Sequence, residues 1–203
     1  MRKRVVLTGA GISKNAGIPT FEENPGIRDI LTLDCLHNQY ELLWETVKKL
    51  RDATLGKEPT LAHKVLADHN CTIITMNVDG LHQKAGSKSV LEVHGNLDKV
   101  ECMGCKKELP IDCVYEDLFC PECHSKLRPK VALYGDSALK YSTAMQILRL
   151  NAGQDVLIVG TSYNTKFAYD FREYAMICDC KVYEFNTNAD EELVNYFVNA
   201  ELF

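Results

Sequence analysis

The chain predicts an α/β fold: an open parallel sheet with helices on both faces, carrying a small metal-binding module. Three observations lead there. Short, nearly continuous apolar runs alternate with helix-compatible stretches, a pattern that suits parallel strands covered on both sides. Polar, loop-forming residues follow almost every run. Between residues 100 and 128 the alternation breaks and two Cys-x-x-Cys pairs replace it.

Val5–Thr8 is the first strand, and it runs into the turn Gly9-Ala10-Gly11. A helix over 39–54 follows, with Leu42, Leu43, Val47 and Leu50 on one face, then a second over 60–68. The strands continue with 71–75 (CTIIT), 131–134 (VALY), 155–160 (DVLIVG) and 181–185 (KVYEF). Helices are expected over 142–150, 167–177 and 190–198, the last with three acidic residues in its first turn, where the helix dipole favours them. This alternation describes a Rossmann-like sheet, in which ligands bind at the carboxyl ends of the strands. Thr8-Gly9-Ala10-Gly11, Met76-Asn77-Val78-Asp79, Gly160-Thr161-Ser162 and Asn186-Thr187-Asn188 all fall there.

Composition excludes several classes. The 203 residues are 46% hydrophobic, enough for a substantial core, and the net charge of -5 argues against a general nucleic-acid binder. Met-Arg-Lys-Arg opens the chain, but the apolar run behind it ends at Thr8 and Gly9, too short for a signal-peptide core. No stretch approaches the roughly 18 apolar residues of a membrane span. The expectation is a soluble, cytoplasmic protein with no membrane partner. The oligomeric state is not legible.

Nine cysteines with no export signal point to metal ligation rather than to a disulfide scaffold. Cys102 and Cys105 pair with Cys120 and Cys123 across fourteen intervening residues. A segment this short cannot build its own core, and four thiolates on one tetrahedral zinc would stabilise it. His124 is a competing ligand, but four cysteines complete the shell, so the zinc reads as structural. The domain reading is a Rossmann-like domain over 1–99 and 129–203 with an inserted zinc module over 100–128. Cys35, Cys71, Cys113, Cys178 and Cys180 read as small buried hydrophobes. Trp44 reads as core, and His37, His63, His69 and His82 as structural or exposed.

The turn at Gly9, Ala10 and Gly11 keeps side chains off the backbone, so that a phosphate-bearing ligand can approach the main chain. GAGIS near the N-terminus, Asn-x-Asp after the second strand, His-Gly before the cysteine pairs and Gly-Thr-Ser after an apolar strand occur together in one order. In that collinear pattern, from Val5 to about Asn188, the chain resembles the sirtuins. They are NAD-dependent protein deacylases, some acting as ADP-ribosyltransferases. The resemblance implies NAD and zinc as cofactors and an acylated-lysine protein or peptide as partner. Ala10, Gly11, Ile12 and Ser13 match the family's NAD-cradling turn, and Phe21 matches the phenylalanine shielding the nicotinamide end. Asn77 and Asp79 match the polar pair of the nicotinamide pocket. Gly160, Thr161 and Ser162 match a cofactor-binding turn, Asn186 the asparagine near the adenosine ribose, and His94 the catalytic base.

Three features depart from the family. Glu22 stands where arginine is usual, Met76 replaces a glutamine that holds the ribose and the histidine, and Tyr163-Asn164-Thr165-Lys166-Phe167 replaces an apolar strip that pairs with substrate peptide. No Tyr-x-x-Arg pair for acidic acyl groups is present between Ile27 and Pro59, so a neutral acyl group is expected. Three functions stay open on the sequence: lysine deacylation, ADP-ribosyl transfer or NAD hydrolysis, and non-catalytic binding of NAD or ADP-ribose.

Overall fold

A computed structural model describes residues 4–19, 23, 26–136 and 139–201. Phe21 and Glu22 lie outside the described residues. In chain order the elements are β1 (Val5–Thr8), a 3-10 turn (Ala10–Ala16), α1 (Gly26–Ile30), α2 (Leu33–Asn38), α3 (Tyr40–Thr54) and α4 (Leu61–Asp68). Then come β2 (Thr72–Thr75), α5 (Leu81–Lys84), β3 (Ser89–Glu92), β4 (Gly95–Cys102), β5 (Glu108–Pro110), a second 3-10 turn (Ile111–Tyr115) and β6 (Leu127–Val131). The chain closes with α6 (Leu139–Leu150), β7 (Asp155–Val159), α7 (Lys166–Ile177), β8 (Lys181–Phe185) and α8 (Ala189–Glu201).

Five strands form a parallel sheet in the order β3-β2-β1-β7-β8. Its apolar runs are continuous because both faces are covered. Val5, Leu7, Ile74, Val156 and Ile158 face α6 and α7, burying Leu148, Phe167 and Phe171. Their neighbours Val6, Ile73, Leu157 and Val159 face α4 and α8, burying Leu66, Leu193 and Phe197. Asp190 does more than meet its own helix dipole: its Oδ1 accepts from the Ala62 N–H at 2.6 Å, at the start of α4. The start of α8 is thereby tied to the start of α4.

A second, antiparallel sheet has the order β5-β4-β6 and holds the cysteine pairs. Its core is shared with the helices that precede it. Leu36, Leu43, Trp44 and Val47 pack with Val100, Ile111, Val114 and Leu127. Trp44 is thus core, as expected, at 1% exposure.

The expected strand over 131–134 is not in the parallel sheet. Val131 instead ends β6, paired with Gly95 of β4, and Tyr134 makes only an isolated bridge to Thr32. A four-residue apolar run does not reveal which partner it pairs with, and here the alternating burial of β6 marks a one-sided sheet. The third parallel strand is β3, whose sequence SVLE is polar at both ends. As the edge strand it needs less apolar surface, so no run of hydrophobic residues announces it.

The turns after β1 and β7 interlock. The Gly9 N–H donates to the Val159 carbonyl at 3.0 Å and the Gly11 N–H to the Gly160 carbonyl at 2.8 Å. A Cβ on Gly11 would stand 2.6 Å from the Gly160 Cα, and one on Gly160 would stand 2.6 Å from the Gly11 carbonyl carbon. Gly160 also has φ +63, where a side chain is strained. Gly160→Ala is therefore expected to lower stability by about 2–4 kcal/mol. Gly26→Ala, where nothing among the described residues lies within 4 Å, should change it by less than about 0.5 kcal/mol; urea denaturation of both variants measures the difference.

Candidate active site

The parallel strand order reverses at β1, with β2 and β3 on one side and β7 and β8 on the other. In such sheets the crevice at that point receives ligands. A cavity of about 620 Å³ opens there, among the residues that follow the strands. Gly9, Ala10 and Gly11 come from the end of β1, Met76 and Asn77 from β2, and His94 from beyond β3. Gly160, Thr161 and Ser162 follow β7, and Asn186 follows β8. A second cavity of about 480 Å³ shares Gly11, Lys14 and Asn186 with the first and continues to Asp190. Residues distant in sequence thus line one elongated groove.

Ser13, Asn77 and Asp79 stand behind the turn as a hydrogen-bonded set. Asn77 Nδ2 donates to the Gly9 carbonyl at 3.1 Å and to Ser13 Oγ at 3.2 Å, and Ser13 Oγ donates to Asp79 Oδ2 at 2.7 Å. Asp79 Oδ1 also accepts from the Leu81 N–H at 3.0 Å, which caps α5. One carboxylate therefore serves both the helix and Ser13 of the turn. Ile12 is buried against the sheet face that α4 and α8 cover, and it lines only the second cavity.

The glycines of the turn line the cavity and also join two loops. Space at Gly9 and Gly11 is filled by the Gly160-Thr161 turn, with the Gly160 carbonyl oxygen 2.7 Å from a Cβ on Gly9. Their N–H groups already bond Val159 and Gly160. The glycines let two loops meet, and that meeting shapes the groove. Positive charge comes instead from Lys14 and Arg28, which line the cavity. Lys14 lies one residue past the Gly-Ala-Gly-Ile-Ser motif, so no motif names it.

His94 is held from both sides at the junction of the two sheets. The Val93 N–H donates to the Thr75 carbonyl at 2.9 Å, and the His94 carbonyl accepts from Ala132 at 2.8 Å. His94 Nδ1 lies 3.0 Å from the Met76 carbonyl and Nε2 lies 2.9 Å from Tyr141 Oη. A carbonyl only accepts, so Nδ1 carries the proton. Burial holds the imidazole below its ordinary pKa, against the opposing pull of the Met76 carbonyl. Met76 thus supplies a main-chain acceptor to His94, while its thioether accepts from Thr165 Oγ1 at 3.4 Å.

The peptide-pairing strip of the sequence reading takes another form. Thr165 Oγ1 accepts from Ala168 at 3.3 Å and caps α7, and Phe167 is buried beside His94. The backbone of Tyr134 is paired internally: its N–H donates to Leu31 at 2.8 Å and its carbonyl accepts from Leu33 at 3.0 Å.

Beneath the groove, His82 Nε2 bonds Thr8 Oγ1 at 2.9 Å, and Thr8 Oγ1 donates to Thr75 Oγ1 at 2.8 Å. His63, fully buried, bonds Thr60 at 2.8 Å, its ring 4.6 Å from that of His82. Burial pushes His63 down to about 4, with Asp79 and Asp190 opposing, and burial also pushes His82 well below the usual histidine value.

In the second sheet, the Sγ atoms of Cys102, Cys105, Cys120 and Cys123 all lie within 4.8 Å of one another. Cys102 and Cys123 are 3.3 Å apart and Cys105 and Cys120 are 3.8 Å apart. Tetrahedral zinc with Zn–S near 2.3 Å places its sulfurs about 3.8 Å apart, so this donor set fits one structural zinc with no open position. His124 is exposed and stands outside the set. Of the other cysteines, Cys35, Cys71 and Cys180 are buried and Cys113 and Cys178 half-buried.

Comparison with known proteins follows this geometry. The sequence model of the Sir2 family matches residues 9–166. An NAD-dependent protein deacylase of Aeropyrum pernix is 37% identical over 175 residues, covering 79% of this chain and 71% of its own. NAD-dependent protein deacylase 1 of Caldanaerobacter subterraneus subsp. tengcongensis is 36% identical over 175 residues, covering 78% and 71%. Among solved structures, one from a study of sirtuin substrate affinity superposes with a TM-score of 0.86 at 26% identity, over 98% of this chain and 94% of that one. A Sir2 protein bound to a propionylated peptide superposes with a TM-score of 0.85 at 25% identity, over 100% and 94%.

Two outcomes are expected. Purified chain should carry one zinc by elemental analysis. Cys120→Ser should lose it and several kcal/mol of stability, lowering the thermal midpoint by about 10 °C. His63 stays neutral in the fold, so an unfolded chain takes up its proton first as pH falls. Its stabilising contribution is complete above pH 6.5 and is lost between there and about pH 4. From pH 7 to pH 5 that loss is about 2 kcal/mol, and urea titration of His63→Gln should show a correspondingly shallower decline.

Proposed function

This chain belongs to the Sir2 family, and we propose that it is an NAD-dependent protein-lysine deacylase acting on an acylated-lysine peptide and releasing nicotinamide and acyl-ADP-ribose. The observation that carries this reading is the placement of a half-buried histidine, its pKa held down by desolvation, in a groove built on the strand ends of a parallel sheet.

The residues fit NAD. Thr161 Oγ1 is buried without a partner among the described residues and lines the groove, Lys14 and Arg28 bring positive charge to it, and the second cavity extends it past Asn186. NAD supplies a glycosidic carbon that nicotinamide can leave and sugar hydroxyls that can receive an acyl group. We assign Gly9, Ala10, Gly11, Ile12, Ser13, Gly160, Thr161, Ser162 and Asn186 to its binding. Asn77 and Asp79, braced by Ser13, form the nicotinamide end, and Phe21 is assigned with them. His94 is the general base: its Nε2 is the unprotonated nitrogen, and Met76 holds the ring by the other. Histidine suits the task because its ordinary pKa lies near neutrality and burial keeps it uncharged. Val93, Leu97, Val131 and Leu133 line the cavity with apolar surface, which supports a neutral acyl chain.

Zinc takes no part in the chemistry. We assign it to a module over 100–128, inserted in a Rossmann-like domain over 1–99 and 129–203. No helix among the described residues is long and apolar enough to cross a membrane. The cytoplasm, which keeps thiols reduced and free to ligate metal, is the compartment we propose.

Mass spectrometry of zinc-loaded protein with NAD and an acetyl-lysine peptide tests the reading. Deacetylated peptide and acetyl-ADP-ribose are expected in equal amounts, with His94→Ala slowed about 10²-fold or more. NAD loss with the peptide still acetylated would replace deacylation by transfer or hydrolysis.

A further inference from the structure

The base nitrogen of His94 is already covered. Its proton sits on Nδ1, facing the Met76 carbonyl, so Nε2 holds the one free lone pair of the ring. Tyr141 Oη lies 2.9 Å from that nitrogen and must donate to it. A hydroxyl arriving in the cavity, which Tyr141 and His94 both line, therefore finds the imidazole lone pair occupied by the phenol's hydrogen.

The phenol is not placed to swing aside. Its ring packs on Phe167 with centroids 4.2 Å apart, and Phe167 is 2% exposed, wedged between α7 and the sheet. Helix α6, which carries Tyr141, buries Ala144 and Leu148 completely against that sheet face. Moving the ring would open this wall.

We infer that Tyr141 is a second catalytic residue, a relay that carries the proton of a bound sugar hydroxyl to His94. The inference rests on the deacylase reading, in which His94 is the base. In the step, the O–H bond of the hydroxyl breaks and its proton joins Tyr141 Oη. The phenol's own O–H bond breaks at the same time, and that proton forms a bond to His94 Nε2. The imidazole becomes imidazolium, the phenol ends neutral, and the sugar oxygen keeps the electron pair with which it attacks the acyl carbon. Nothing is oxidised or reduced. Burial raises the pKa of Tyr141 and lowers that of His94, so both begin neutral, as the relay requires.

Tyr141→Phe in the zinc-loaded chain tests this, with two readouts. The first needs no NAD: ring-nitrogen NMR of His94, assigned with His94→Gln. In Tyr141→Phe the proton should remain on Nδ1 while the Nε2 resonance moves downfield for want of a donor; an unmoved resonance overturns the inference. The second is kinetic, with NAD and acetyl-lysine peptide. Nicotinamide release should stay within about threefold of wild type while acyl transfer slows about 10²-fold, with the double variant no slower than His94→Gln. Acyl transfer as fast as in wild type would mean the phenol only covers the base, and the relay is wrong. If His94→Gln itself keeps full activity, or wild type consumes no NAD, the deacylase reading has failed and the relay with it. The nitrogen resonance then still reports whether the hydrogen bond exists.

Discussion

The close contact between the turns after β1 and β7 is the constraint on which the site depends. Neither turn has room for a side chain where they meet, and each uses main-chain donors or acceptors of the other, through the Gly9–Val159 and Gly11–Gly160 bonds. This junction sits where the strand order reverses. The Gly160 N–H in turn bonds the Phe185 carbonyl at 2.9 Å, and Asn186 Oδ1 accepts from Thr161 at 2.8 Å, so β8 is drawn into the same rim. A groove between loops is only as well defined as the distance between them, and here that distance is set by backbone atoms in contact.

A second support lies below the rim. Thr8 and Thr75, at the ends of the neighbouring strands β1 and β2, bond each other and Thr8 also bonds His82, while Thr75 Oγ1 accepts from the Asn77 N–H at 3.0 Å. Buried polar groups in such a network are costly unless paired, and pairing leaves them few alternative arrangements. The network therefore orients the Asn77-Ser13-Asp79 set above it. His94 is fixed by a different means. It stands in the two-residue passage between β3 and β4, anchored to one sheet through Val93 and to the other through its own carbonyl. The cysteine-bearing sheet thus helps hold His94 in place.

Much of this was readable beforehand. The strands β1, β2, β7 and β8 and helices α3, α4, α6, α7 and α8 announce themselves because buried parallel strands are continuously apolar and their covering helices are amphipathic. The cysteine pairs are legible because metal ligation needs four donors at short, paired spacings. β3 was not legible, since an edge strand can be polar, and the run at 131–134 was read as a strand of the wrong sheet, since apolarity does not encode a partner. Tyr141 escaped notice for a related reason. Its meaning is its neighbour, and His94 lies 47 positions away.

The amino-acid order by itself determined the α/β class, the four-cysteine cluster and the family, because each rests on local patterns: periodicity, paired cysteines and short motifs in a fixed sequence. Only the tertiary structure decided what the motifs do. It joined the glycines of the first turn to a second loop while leaving them on the cavity wall, made Asp79 both a helix cap and a partner of Ser13, and gave His94 a proton on Nδ1 and a phenol on Nε2. These are relations between atoms that the chain brings together only on folding. A linear pattern names the residues, but hydrogen-bond direction and steric contact are settled by which surfaces end up facing each other.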